Sequence, residues 1–514
     1  MLRAVGLSYR YPSADSDAVG PIDLKVDPGE LVVVTGPTGS GKSTLLRLLA
    51  GLLQRHGRGE ASGKIEIDGK DPSEIAPHQR ATALAYVTQS PGDQIVCRSL
   101  LDEVSFGLES TSCDPQTIES TALAWLQRVG LDYPPDLHPE SLSGGEQQRL
   151  VIGASLAAGA KTVLLDEPLS QLDPKGAQAV IQMLKKMTQD GWAVVVVEHR
   201  IQELWDKADR FILMDEGTIL FDNPVDSIPL TAFRRLGLSI PPIVDIRDRA
   251  ELDGCQLKAV QPPSVDPNQT SGPGKLLLKT RAIEVSYTGR KERALETPVL
   301  AIDSGERLAI LGHNGSGKST LLRELSQIAS EQSLSVAFVP QNADLTLFNS
   351  TVQGEIEFGP RERGSDALEQ RVHDAVQALG LEDYRTRPPH SLSKGQRVRV
   401  AVASALACLP DLLLLDEPTA GQDAAQMHNT MRSIDPLLAN RTLIFATHDV
   451  QLALSFSTRV IVLEEGQLIF DGPPDEAASV LNPVPPWVHF CHRHGLSVST
   501  VDDAYRQLKC STQD

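Results

Sequence analysis

The sequence predicts an α/β fold that occurs twice in one chain. Two observations carry this. A series of motifs runs through the first half and returns in the same order in the second, and short, evenly apolar runs flank the motifs in both. In the first half these runs are residues 31–35, 163–165, 194–197 and 211–214; in the second they are 308–311, 412–415, 443–446 and 460–463. Strands this short and uniformly apolar suit a mostly parallel sheet covered on both faces, where a side chain is buried whichever way it points.

The duplication is read from paired motifs. Gly36-Pro-Thr-Gly-Ser-Gly-Lys42-Ser43 is answered by Gly312-His-Asn-Gly-Ser-Gly-Lys318-Ser319, and Leu142-Ser-Gly-Gly-Glu-Gln-Gln-Arg149 by Leu392-Ser-Lys-Gly-Gln-Arg-Val-Arg399. Leu164-Leu-Asp166-Glu167-Pro168 is answered by Leu414-Leu-Asp416-Glu417-Pro418, and His199 by His448. Ser143 lies 24 residues before Glu167 and Ser393 lies 24 before Glu417; the step from Glu to His is 32 and 31. One spacing disagrees. Lys42 and Gln89 are 47 apart, Lys318 and Gln341 only 23. The first half carries Ser62-Gly-Lys-Ile-Glu-Ile-Asp-Gly69 in that stretch, whose alternation and Asp-Gly pair read as a strand entering a hairpin turn. The second half is expected to lack it.

Domain limits follow. Residues 1–240 and 276–481 are the two α/β domains, the second shorter. Residues 241–275 hold six prolines and three glycines and read as a linker, and 482–514 as a C-terminal tail. Leu236-Gly-Leu-Ser-Ile240 and His494-Gly-Leu-Ser-Val498 echo each other and read as parts of small helical appendages.

Composition limits the function. The 514 residues include 48 Lys and Arg against 67 Asp and Glu, a net charge of −19, which argues against a protein that coats nucleic acid. No apolar run approaches the ~20 residues of a membrane-spanning helix, and no apolar segment precedes Tyr9-Arg-Tyr-Pro12 as a secretion signal would. Six cysteines form no CxxC pair, as expected of reduced thiols in the cytoplasm. Dealings with a membrane must go through a partner.

The Gly-rich loops bear the most specific chemistry. Their glycines let consecutive backbone N–H groups turn inward onto phosphate oxygens at a helix N-terminus, Lys42 or Lys318 meets the β- and γ-phosphates, and Ser43 or Ser319 can ligate Mg²⁺. Candidate nucleotide contacts are Gly36, Pro37, Thr38, Gly39, Ser40, Gly41, Lys42, Ser43 and Thr44, then Gly312, His313, Asn314, Gly315, Ser316, Gly317, Lys318, Ser319 and Thr320. Asp166 and Asp416 end apolar strands, where a carboxylate can hold the metal. Glu167 and Glu417 follow directly and are placed to orient an attacking water.

The whole set resembles the ATP-binding cassette ATPases over nearly all of both halves. The resemblance implies two P-loop NTPase cassettes, each with a mostly parallel sheet and a helical subdomain, that bind ATP and Mg²⁺. It implies that Gln89 and Gln341 sense the γ-phosphate and metal, that His199 and His448 touch the γ-phosphate, and that Asp173 and Asp423 lie across the interface of paired cassettes. Ser143, Gly144 and Gly145, with Ser393, Gly395 and Gln396, would bind nucleotide held by the opposite cassette, so that two composite sites form between halves paired head to tail. Tyr11 would stack on adenine; Gly289 stands in its place in the second half, with Tyr287 as a substitute. Lys394 replaces the first signature glycine and is expected to be solvated.

Ser90-Pro-Gly-Asp-Gln-Ile-Val followed by Leu101-Asp-Glu-Val-Ser-Phe-Gly107, and Asn342-Ala-Asp-Leu-Thr-Leu-Phe followed by Val352-Gln-Gly-Glu-Ile-Glu-Phe-Gly359, resemble the energy-coupling factor ATPases that drive vitamin, cobalt or nickel import. In that family the segment docks the coupling helices of a transmembrane scaffold, which works with a small substrate-binding membrane subunit. A peripheral place on the cytoplasmic face of the membrane is implied. Two other readings stand beside this one: a tandem cassette ATPase acting on the ribosome, disfavoured by the short acidic linker and net charge, and the ATPase of a sugar importer. DNA-repair cassettes carry zinc-binding cysteine pairs, which are absent here. His489, Cys491, His492 and His494 form a cluster read as a polar helix face rather than a metal site.

Overall fold

The computed structural model describes the chain apart from residues 13, 57, 112, 171, 173, 200, 253–274, 287–292, 365–366, 419–423, 440, 482–483, 485, 494–503, 506 and 508–514. It divides into two units, Met1–Pro241 and Pro242–Asp514.

In the first unit the chain runs through β1 (Leu2–Arg10), β2 (Val19–Val26), β3 (Leu31–Thr35), β4 (Glu60–Ile67), β5 (Leu84–Val87), β6 (Thr162–Asp166), β7 (Ala193–Val197), β8 (Arg210–Asp215) and β9 (Thr218–Pro224). β2-β1-β4 form an antiparallel sheet. The main sheet has the order β5-β6-β7-β3-β8-β9, parallel except for β9. All five residues of β3, β6 and β7 are buried, as a sheet covered on both faces requires. Helices Leu100–Glu109, Ile118–Arg128 and Gly144–Ala157 enclose a core of their own around Leu100, Val104, Leu126 and Leu150, and make up the helical subdomain.

The second unit contains β10 (Leu276–Lys279), β11 (Ile283–Val285), β12 (Leu295–Thr297), β13 (Ala301–Asp303), β14 (Arg307–Leu311), β15 (Val336–Val339), β16 (Leu412–Asp416), β17 (Thr442–Thr447), β18 (Arg459–Glu464) and β19 (Gln467–Gly472). The order β15-β16-β17-β14-β18-β19 repeats that of the first unit, extended by β12 and β11 at its far edge; β10 pairs with β13. The doubled parallel α/β architecture with helical subdomains is as the sequence predicts.

The spacing difference has a structural form. β4 lies along β1, with Ile65 opposite Ala4, and turns at Asp68-Gly69 through an Ile67–Lys70 bridge. In the second unit helix Lys318–Glu331 leads to β15, and among the described residues no strand intervenes.

Pro242–Leu252, within the stretch that composition assigns to a linker, forms a helix. Ile246 and Ala250, one turn apart on one face, join the core that holds Val488, Phe490 and Cys491 of helix Pro486–Arg493, with the Arg247 guanidinium 5.4 Å over the Phe490 ring. Burial pushes the Cys491 thiol up to about 12, so it offers no ready thiolate. His494 lies outside the described residues, which contain no group of three metal-ligating side chains.

Leu164 and Leu414, fully buried at the centres of β6 and β16, fill matched places. Truncating either to Ala should cost about 2–5 kcal/mol, read as a lowered unfolding temperature, while Val96→Ala on the surface should leave it unchanged.

Candidate functional site: two phosphate loops with carboxylate and imidazole

Each site grows from adjacent parallel strands. β3 delivers the Gly-rich loop into helix Lys42–Leu49, and β14 delivers its counterpart into helix Lys318–Glu331. The residues before the helices, Gly41 and Gly317, have φ of 96° and 101°. A Cβ at Gly41 would stand 2.3 Å from the Ala18 carbonyl oxygen, so only glycine lets the loop close this tightly. Lys42 Nζ donates to the carbonyls of Gly36 and Pro37, both at 2.8 Å, and Lys318 Nζ to those of Gly312 (2.8 Å) and His313 (3.0 Å). Each loop is curled around its own ammonium, which neutralises the carbonyls and leaves the helix N-terminus facing outward for an anion. Ser316 Oγ is buried with no hydrogen-bond partner among the described residues, a polar atom that a phosphate oxygen would satisfy.

β6 and β16 bring in the carboxylates. Ser43 Oγ donates to Asp166 Oδ1 at 2.9 Å and Ser319 Oγ to Asp416 Oδ1 at 3.0 Å. A hydroxyl and a carboxylate in contact at the start of a phosphate-facing helix are the hard oxygen donors that Mg²⁺ takes, so the residues fit that ion, which would screen phosphate charge. Burial raises both Asp carboxyls above their usual range, against the hydrogen bonds from Ser43 and Ser319.

Glu167 and Glu417 sit one residue beyond their strands, with φ of 50° and 49°. That left-handed backbone costs a non-glycine residue about 1–3 kcal/mol and recurs in both units. Glu167 receives Gln89 Nε2 at 2.6 Å and lies 3.4 Å from His199 Nε2. Glu417 lies 2.8 Å from His448 Nδ1 and 3.3 Å from Lys318 Nζ. Burial would raise both Glu carboxyls, but the neighbouring imidazole and lysine outweigh it and hold them below the usual range. Gln341 is exposed.

A cavity of about 210 Å³ joins Gln89, Asp93, Gly144, Gln148 and Glu167 within the first unit. The signature segments begin helices Gly144–Ala157 and Lys394–Ala407, whose caps Ser143 and Ser393 are exposed. Ser143 Oγ donates to Glu146 at 2.7 Å; Ser393 Oγ accepts from Gln396 N at 3.3 Å, and Gln396 Oε1 accepts from Ser393 N at 2.9 Å. Lys394 is exposed. Tyr11 packs edge-on to Tyr9, 4.9 Å away, and shares a 3.2 Å hydrogen bond with Thr44 Oγ1, which sets its ring beside the first loop. Tyr287, Gly289, Asp173 and Asp423 lie outside the described residues.

Glu103 and Glu355 lie in the Phe-Gly segments that carry the energy-coupling factor resemblance, but the sequence assigns them no site role. Both are buried, and each accepts two consecutive backbone N–H groups: Val96 and Cys97 at 3.0 and 2.8 Å, Phe348 and Asn349 at 2.9 and 2.7 Å. The signal was available, since both glutamates stand three residues before a Phe-Gly pair.

These shifts bear on the titration. Burial raises Asp166 and Asp416, so on acidification they take up protons sooner than unperturbed aspartates would, and a metal competes with protons for them. The acid side of an ATP hydrolysis profile should therefore move to lower pH as Mg²⁺ is increased; a profile indifferent to Mg²⁺ would place the loss on another group.

Comparison with known proteins agrees with this geometry. The ABC transporter family pattern matches residues 19–170 and 295–420. The chain is 35% identical over 512 residues to a candidate ABC transporter ATP-binding protein of Methanosarcina mazei, covering 91% of this chain and 88% of that protein. It is 34% identical over 524 residues to one from Vibrio vulnificus, covering 92% and 90%. In fold it is similar to an archaeal ribosome recycling factor solved with a ribosomal stalk protein, at TM-score 0.63, 21% identity and 98% coverage of both chains. That likeness is one of fold alone. ATP with Mg²⁺ is the ligand of such cassettes, and hydrolysis of ATP their reaction. With two phosphate loops, two strand-end Asp-Glu pairs and a family pattern matched twice, the chain belongs to the ABC transporter family of ATP-hydrolysing proteins, as a tandem of two cassettes.

Proposed function

We propose that the chain is the ATP-hydrolysing subunit of a membrane importer of the energy-coupling factor type, serving a micronutrient such as a vitamin, cobalt or nickel. The observation that carries this reading is the paired surface beside the glutamine segments. Val96 and Phe106 in the first cassette, and Phe348 and Phe358 in the second, are exposed large apolar side chains at equivalent places. Phe348 and Phe358 meet edge-on at 4.8 Å. Exposed aromatics held beside a rigid backbone suit the docking of a partner's helices. Among the described residues no helix is long and apolar enough to cross a membrane, so the spanning parts of such an importer would be other subunits: a scaffold and a small substrate-binding protein. The chain would sit on the cytoplasmic face.

In this reading the halves pair head to tail, with Ser143, Gly144 and Gly145 closing on nucleotide held by Lys318 and Ser319, and Ser393, Gly395 and Gln396 on that held by Lys42 and Ser43. Glu167 and Glu417, kept ionised, accept a proton from or orient the attacking water; His199 and His448 hold those carboxylates and meet the γ-phosphate; Gln89 and Gln341 report its loss to the docking surface. Asp166 with Ser43 and Asp416 with Ser319 would hold Mg²⁺. Closure needs only that the closed form bind ATP more tightly than its products.

A second reading, action on the ribosome, has the whole-chain fold likeness to the recycling factor in its favour. The −19 charge weighs against an RNA-rich partner. Affinity capture from detergent-solubilised native cells separates the two: a polytopic scaffold with a small hydrophobic subunit is the expected recovery, and ribosomal proteins without membrane proteins would overturn the importer reading. Glu167→Gln and Glu417→Gln should each bind ATP normally and lower the turnover of the altered site about 100-fold or more. Near-unaltered turnover in either would remove that glutamate from the mechanism.

A further inference from the structure

We propose that Glu198 is a positioning residue for hydrolysis in the first cassette, and that the two sites hold their catalytic loops by different means. Glu198 is fully buried at the end of β7. Its Oε1 accepts the N–H of Leu169 at 2.7 Å and its Oε2 the N–H of His199 at 2.9 Å. Leu169 lies two residues after Glu167. One carboxylate therefore ties the backbone of the loop that carries the hydrolytic glutamate to the backbone of the loop that carries its imidazole. The Glu198 amide donates to the Val34 carbonyl at 3.1 Å, which anchors the tie to β3 and so to the phosphate loop.

The second cassette serves as an internal control. Thr447, also fully buried, occupies the same place, and its hydroxyl accepts from Asp449 N at 3.0 Å within its own loop. The strands around the two positions match in register: Asp166 faces Val197 and Asp416 faces Ala446. The fold accommodates a neutral side chain here, so a buried carboxylate, which needs strong partners to offset desolvation, is retained for something other than strand pairing. The contacts it governs differ accordingly. In the first site the imidazole stands 3.4 Å from Glu167, and order comes from the backbone through Glu198; in the second, His448 meets Glu417 directly at 2.8 Å. Charge-assisted bonds to two amides fix loop geometry without occupying either reacting side chain.

The test measures ATP hydrolysis, binding of a fluorescent ATP analogue and unfolding temperature in the full chain carrying Glu198→Gln, Glu198→Asp or Glu198→Thr, the last copying the second cassette. The Glu417→Gln background isolates the first site; if that parent does not turn over, the sites are coupled and the otherwise unaltered chain is used. The expected result is a fall in kcat of about 10–100-fold for Glu198→Gln and Glu198→Thr, partial recovery in Glu198→Asp, and analogue affinity within about a factor of two. A kcat within about a factor of two of the parent overturns the proposal. So does a loss of turnover that arrives together with lost analogue binding or a collapsed unfolding temperature, because Glu198 would then serve stability alone.

Discussion

The hydrogen bond from the Glu167 amide to the Val197 carbonyl, 2.9 Å, repeated from Glu417 to Ala446 at 3.0 Å, is the constraint on which both sites turn. It carries the β6–β7 and β16–β17 ladders one residue past the strand ends. Each glutamate, directly after its strand, adopts left-handed backbone, and its carboxylate lies beside the imidazole at the end of the next strand. The bond is one of the contacts that hold a non-glycine residue in this strained conformation. The order β6-β7-β3 and β16-β17-β14 then does the rest, because three neighbouring parallel strands end together and present Asp-Glu, His and the phosphate loop at one edge.

Charge is arranged to suit that edge. Adjacent carboxylates buried together cannot both ionise freely, and the structure sends them in opposite directions: Asp166 and Asp416 up by burial, Glu167 and Glu417 down through imidazole and lysine. The imidazole and lysine thus favour the anionic form of the glutamates, while burial makes the aspartates easier to protonate than free ones. Behind the glutamine segments, Glu103 and Glu355 each accept two consecutive backbone donors, which ties the segment bearing the exposed apolar side chains to the helix that follows it.

Within this shared frame the cassettes are furnished unequally. Gln89 reaches its glutamate while Gln341 is exposed; Lys318 pairs with Glu417 at 3.3 Å, whereas Lys42 adds the Ser40 hydroxyl at 3.3 Å to its two carbonyls. All of these differences fall on side chains beyond strand ends.

The sequence by itself determined the duplication, the parallel α/β class, the phosphate loops and the strand-end Asp-Glu pairs. Each of these is a local pattern: glycines where the backbone must curl, apolar runs where both sheet faces are covered, acids directly after such a run. Helix Pro242–Leu252 escaped, because it opens a stretch rich in prolines and charges, and the face formed by Ile246 and Ala250 has meaning only against residues about 240 positions away in the chain. Which atoms meet is settled by strand pairing in three dimensions. That Glu198 bridges Leu169 and His199, that Gln89 engages Glu167, and that burial raises the aspartates while imidazole and lysine lower the glutamates all depend on distances and desolvation across strands far apart in sequence. Spacing along a chain encodes the order of elements, but electrostatic interaction falls off with separation in space, and that separation exists only once the strands have paired.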